Sequence, residues 1–83
     1  MMDKETFIEK LNELLAEEFE VDIQTIRPEA TIKITLAMDS LSFVDLIAVI
    51  ENDFGVKIPG QELKELKVFS QLYDYIYEKI QKE

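Results

Sequence analysis

In three stretches of this chain apolar residues recur at every third or fourth position, and no strand-like alternation elsewhere runs as long. From about Lys4 to Phe19 the apolar set is Phe7, Ile8, Leu11, Leu14, Leu15 and Phe19, with Glu5, Glu9, Glu13 and Glu17 on the other side. That spacing closes on one face of an α-helix, and Asp3 ahead of it is a suitable N-cap. From about Asp39 to Phe54, a second stripe comprises Phe43, Leu46, Ile47, Ile50 and Phe54. Gly55 is placed to end it in a left-handed cap. From about Phe69 to Gln81, Phe69, Leu72, Ile76 and Ile80 form a third stripe supported by Tyr73, with Lys79 and Lys82 suited to the negative pole of that helix. Between the last two, Val56 to Pro59 reads as a connecting turn. Gln61 to Leu66, introduced by Pro59 and Gly60, is long enough for one or two helical turns. Helices with single apolar stripes can bury them only against one another. The expected fold is therefore all-α, a four-helix bundle of three main helices and one short one, with a long first loop.

That loop spans Glu20 to Met38, where the helical period is lost and Pro28 forbids a continuous helix. Within it, Ala30 to Leu36 alternates, with Ile32 and Ile34 on one side and Thr31, Lys33 and Thr35 on the other. Alone this pattern spells a strand, but no second segment alternates for as long, so a strand would lack a partner. We expect an extended loop pinned by its isoleucines. Loops of this length in compact domains are often functional; the plainer alternative is a spacer between antiparallel helices.

Eighty-three residues suit one domain, 1–83, close to the smallest size that buries a core without a disulfide or a metal. A chain with 47% hydrophobic and 33% charged residues is neither disordered nor membrane-spanning in character. Its first residues, MMDKETFIEK, lack the basic-then-apolar order of a secretory signal, which points to the cytoplasm. The net charge of −9 repels nucleic acid and anionic membrane surfaces and would attract basic proteins. There is neither cysteine nor histidine. Thiolate nucleophiles, Cys/His zinc sites and every histidine-based triad are thereby excluded, and any thiol chemistry requires a thiol from a cofactor.

The second stripe's helix carries a further face. Leu41, Val44 and Ala48 lie beside Asp45, Glu51 and Asn52, and no Lys or Arg occurs between Lys33 and Lys57. A helix with apolar residues on two sides is either deeply buried or offers one side to a partner. At its start, Ser40 follows Asp39, where outward-pointing N–H groups favour an anion such as a phosphate ester. The plain readings are an ordinary serine in a turn capped by Asp39, and a second face that completes the core. No carboxylate spacing matches an EF-hand, and no base other than carboxylates stands near Ser40, so we expect neither a metal site nor a hydrolytic enzyme.

The stretch LAMDSLSFVDLIAVIENDFGVKIP resembles the acyl carrier protein family, whose hallmark is Asp-Ser-Leu at the start of the second helix. The triplet alone is weak. It is strengthened by Leu36, Asp45, Glu51, Phe54, Ile58-Pro59 and Asp74-Tyr75-Ile76 in register, so the resemblance covers nearly the whole chain. The family implies a non-catalytic carrier with 4'-phosphopantetheine esterified to Ser40, beside Asp39 and Leu41. The group is installed from coenzyme A and Mg²⁺ by a separate phosphopantetheinyl transferase. Acyl groups are then held as thioesters for fatty acid, polyketide or related synthesis enzymes, with the cargo sheltered between helices. Leu41, Val44, Asp45, Ala48 and Glu51 match positions that dock basic patches on partner enzymes, and such carriers are expected to be monomers. Charge of this kind steers encounter more than it sets affinity. The chain also departs from the family. Many members have Asp-Leu-Gly where Thr35, Leu36 and Ala37 stand, and an acidic residue where Ser42 and Asn52 stand. A less acidic recognition helix suits a dedicated carrier for one pathway. The alternatives are an aminoacyl or D-alanyl carrier for cell-envelope or peptide assembly, in which Phe often replaces Leu41, and an acidic helical interaction module without a cofactor.

Charge imbalance of this size also acts on stability, because self-repulsion opposes the compact state and is screened by salt. The melting temperature is expected to rise when salt or a divalent cation is added to a low-ionic-strength buffer. A thermal melt independent of salt would contradict this.

Overall fold

The computed structural model describes residues 3–82, so Met1, Met2 and Glu83 of the expected 1–83 span lie outside the described residues. The elements in order are α1 (Lys4–Phe19), a 3-10 turn (Ile23–Thr25), α2 (Ile32–Thr35), α3 (Ser40–Phe54), α4 (Gly60–Glu65) and α5 (Phe69–Lys82). The architecture is all-α, and the three long helices fall where the stripes place them. Asp3 caps α1, its carboxylate accepting from the Thr6 N–H at 2.7 Å.

The core is built from all of the helices and much of the connecting chain. Phe7, Leu11 and Leu15 of α1, Leu46 and Ile50 of α3, and Phe69, Leu72, Tyr73 and Ile76 of α5 are buried together. Ile26, Ile32, Leu36, Val56, Ile58 and Leu63 close the ends. The Phe7 ring stands edge-on to Phe54 at 5.2 Å between centroids and tilted against Tyr77 at 5.6 Å. Such pairs contribute roughly 0.5–1.5 kcal/mol beyond the area they bury. The buried Tyr73 finds its polar partner in α1, donating its hydroxyl to Asn12 Oδ1 at 2.6 Å. Lys4 and Asp74 join the same two helices by an ion pair.

The apolar stripe of α3 is sunk less deeply than its spacing suggests. Leu46 and Ile50 are fully buried, whereas Phe43, Ile47 and Phe54 are only half-buried and pack against the edge of the core. Over Phe43 and Ile47 the neighbouring element is the six-residue α4, whose Gly60 comes close enough that a Cβ there would stand 3.6 Å from Phe43 Cε2. A helix of that length covers only part of the face beneath it.

The first loop corrects the sequence-based expectation in two ways. Residues 32–35 form a helical turn, α2, and not an extended segment. Ile32 and Ile34 therefore part company. Ile32 is buried with Leu36, four residues on and on the same helical side, while Ile34 is 79% exposed. The strand-like pattern also has a partner, though a minimal one, in an isolated antiparallel bridge between Thr31 and Val68. Around it, the Ile32 N–H donates to Lys67 O (2.9 Å), the Phe69 N–H to Ala30 O (3.2 Å) and the Ser70 N–H to Pro28 O (2.9 Å). The segment stays extended only long enough to pair with the chain entering α5, then turns helical to bury Ile32 and Leu36 together.

α2 ends in a turn that fixes the direction of α3. The Met38 N–H donates to Lys33 O at 3.0 Å and the Ala37 N–H to Ile34 O at 3.2 Å, the two bonds of a Schellman cap. Such a cap needs a left-handed residue, and Ala37 supplies it at φ 49°. Position 37 is the one at which the family resemblance leads to an expectation of glycine. Alanine there is strained by about 1–2 kcal/mol, against about 0.4–1 kcal/mol gained by restricting the unfolded chain. Ala37→Gly is expected to raise the unfolding free energy by about 0.5–1 kcal/mol in urea titration; a loss of stability would show that the strain is relieved some other way.

Candidate functional site

α3 begins at Ser40 because Asp39 can cap it. Asp39 has extended backbone angles (φ −116°, ψ −169°), its carboxylate accepts from the Ser42 N–H at 2.8 Å, and its carbonyl accepts from the Phe43 N–H at 3.0 Å. One of the unpartnered donors of the first turn is thereby satisfied. The Ser42 backbone N–H, and after it the Ser42 side chain, hold the Asp39 carboxyl below its ordinary value of 3.8, so it is ionised at neutral pH. Ser40 is exposed at the first helical position, where the remaining N–H groups and the positive end of the helix dipole favour a phosphate ester.

The second face of α3 is a surface. Leu41 is 77% exposed and Val44 62% exposed, and Asp45, Ala48 and Glu51 are exposed alongside them. Spacings of three and four residues put these five on one side of the helix, leading away from Ser40. The plain reading, in which Leu41 and Val44 complete the core, is therefore wrong for both. Ile34 adds an exposed apolar side chain from α2 that the sequence pattern placed inward.

On the other side of Ser40 is a groove that sequence spacing did not show. It has a volume of about 1000 Å³ and is lined by Lys33, Met38, Asp39, Ser40, Phe43, Gly60, Gln61, Lys64 and Lys67. The absence of Lys and Arg between Lys33 and Lys57 makes α3 itself acidic, yet the fold brings lysines from α2, α4 and the α4–α5 connection to its N-terminus. Adjoining the groove, a small pocket among Ile32, Lys33, Met38, Phe43, Leu46, Leu63 and Leu66 holds only about 10 Å³, room for one water at most. An exposed hydroxyl beside an open, partly apolar groove suits a covalently attached arm, and the chain supplies no thiol of its own. No helix of the described residues is long and apolar enough to cross a membrane.

The cap also sets a pH dependence. A carboxylate whose folded pKa is depressed adds stability that is present above its unfolded pKa and is lost as pH falls through the folded one. The stability gap between the wild type and Asp39→Ala is thus expected at neutral pH and should shrink below pH 3.8. Urea unfolding at several pH values measures it; a gap that persists unchanged in acid would mean that Asp39 acts through something other than its charge.

Comparison with known proteins agrees with this arrangement. The family described as "Phosphopantetheine attachment site" matches residues 9–76. An acyl carrier protein of Rubrobacter xylanophilus is 35% identical over 77 residues, covering 93% of this chain and 95% of that protein. One from Thermosynechococcus vestitus is 35% identical over 79 residues (95% and 98%), and one from Myxococcus xanthus 36% over 76 residues (92% and 96%). With a helical bundle of the expected kind, a capped and exposed serine at the start of its central helix, and relatives matched almost end to end, the chain belongs to the acyl carrier protein family of phosphopantetheine-bearing carriers.

Proposed function

We propose that this chain acts as a single carrier domain, 1–83, that holds acyl groups as thioesters on 4'-phosphopantetheine attached to Ser40. The observation that carries the assignment of the residue is the exposure of Ser40 at the first position of α3, directly after its N-cap. Asp39 orders the turn so that the Ser40 hydroxyl faces solvent, and Leu41 offers an apolar contact next to it. The arm supplies the thiol that the chain lacks. Ser40 Oγ gives up its proton and forms a bond to the phosphorus nearest pantetheine in coenzyme A, while the P–O bond to the adenosine bisphosphate breaks. With no histidine in the chain and Asp39 engaged as a cap, the base and the Mg²⁺ belong to a phosphopantetheinyl transferase.

Leu41, Val44, Asp45, Ala48 and Glu51 form the surface that such a transferase, and acyl-transferring or synthase enzymes with basic patches, would meet. The acidic groups steer the encounter and the exposed Leu41 and Val44 supply apolar contact. The carrier itself performs no catalysis, and we place it in the cytoplasm as a monomer. The names of the relatives favour an acyl over an aminoacyl cargo.

Incubation with coenzyme A, Mg²⁺ and a broad-specificity transferase, followed by intact-mass measurement, should add one phosphopantetheine to the wild type and none to Ser40→Ala. No gain in the wild type, or a gain retained in Ser40→Ala, would sink the assignment and favour an interaction module that takes no cofactor.

A further inference from the structure

Within a chain of net charge −9, the groove beside Ser40 is basic. Lys33, Lys64 and Lys67 line it against one carboxylate, Asp39, whose oxygen already receives the Ser42 N–H. None of these lysines enters an ion pair among the described residues; the ion pairs there join Lys4 to Asp74 and Lys82 to Glu78. The Lys64 ammonium stands 5.8 Å from the centroid of the Phe43 ring, close enough for the ring to hold a cation. The groove thus brings the apolar side chains of Phe43 and Met38 together with three lysines in one lining.

From these observations, and resting on the attachment at Ser40 proposed above, we infer that the groove is a subsite for acyl cargo that itself carries a carboxylate. A phosphodiester on Ser40 would bring a single negative charge to the edge of the groove, next to the first turn of α3, which already favours an anion. Three lysines exceed that requirement. A half-thioester of a dicarboxylic acid would lay its methylenes on Phe43 and Met38 and bring its free carboxylate to the lysines. Elsewhere the acidic surface would repel it. The alternative berth for a purely apolar chain, the small pocket adjoining the groove, measures only about 10 Å³. The proposal therefore distinguishes cargo by charge and not by length.

The test compares four forms of the full chain at low salt: apo, phosphopantetheinylated, and loaded by a transferase from either adipyl-coenzyme A or its monomethyl ester. Adipyl cargo is expected to shift the backbone amide resonances of residues 33, 64 and 67 beyond their positions in the form with the arm alone. It should also give nuclear Overhauser contacts from its methylenes to the Phe43 ring. Both effects should vanish at about 1 M salt, where charges are screened within about 3 Å. They should also vanish in a Lys33→Gln, Lys64→Gln, Lys67→Gln variant, and survive in Lys57→Gln, which lies outside the groove. The methyl ester should resemble the arm alone. Loading is verified by intact mass, so a chain that gains no mass overturns the Ser40 assignment. A chain that loads normally, but whose adipyl form matches the arm alone, matches the methyl ester, or is unaffected by the triple substitution, overturns the anionic subsite and leaves Ser40 standing.

Discussion

The placement of Lys33, Asp39, Ser40 and Lys67 depends on a short backbone seam between the first loop and the entrance to α5. Four residues of the loop, Pro28, Ala30, Thr31 and Ile32, meet the chain from Lys67 to Ser70 through three N–H to carbonyl bonds and one isolated bridge. The seam is reinforced from the other side, where Gln71 Oε1 accepts from the N–H groups of Lys67 and Val68 at 2.7 and 3.2 Å and so caps the start of α5. Each bond is modest on its own, about 0.5–1.5 kcal/mol. Together they set where α2 can lie, because Ile32 is both a donor in the seam and a member of the core. α2 then delivers Lys33 to the groove, and its Schellman turn delivers Asp39 and Ser40. Lys67, whose carbonyl accepts in the seam, presents its side chain to the same groove.

Charge is sorted by this arrangement and not merely accumulated. The exposed side of α3 combines Leu41 and Val44 with Asp45 and Glu51, while the opposite flank of Ser40 carries three lysines. A single helix start therefore borders an acidic-apolar surface and a basic-apolar groove. The first is suited to a basic protein and the second to a small anionic group. Under the roles proposed above, the surface that meets an enzyme is separate from the surface that meets the cargo.

Departures from the family pattern acquire a physical meaning only in the folded chain. Ala37 stands where many members have glycine, and the structure shows why glycine suits the position: the residue sits at φ 49° in the cap of α2. The chain tolerates alanine at the cost of local strain, three residues before the serine. Ser42, which stands where an acidic residue is common, donates its N–H to the Asp39 carboxylate, a bond available to any residue there, and its side chain adds a second contribution that holds that carboxyl low.

Period alone determined a good deal. The three long helices, their inward faces and the N-caps at Asp3 and Asp39 follow from local spacing and side-chain chemistry, which act within a turn or two of the backbone. The place of Ser40 at the start of α3, and a second face of Leu41, Val44 and Ala48 beside Asp45 and Glu51, were legible for the same reason, as all lie on one helix. Tertiary structure decided what depends on residues far apart in sequence. The alternation of residues 30–36 could not disclose its three-residue partner near Val68, so Ile34 looked inward and proved to be exposed. Phe43, Ile47 and Phe54 looked fully buried, and for Phe43 and Ile47 the half-exposure reflects how little of α3 the short α4 can cover. The groove was invisible because Lys33, Lys64 and Lys67 belong to three separate segments, and a charge count by sequence position averages them into an acidic chain. Only the folded chain, which sets α2, α4 and the α4–α5 connection side by side, brings them to one side of Ser40.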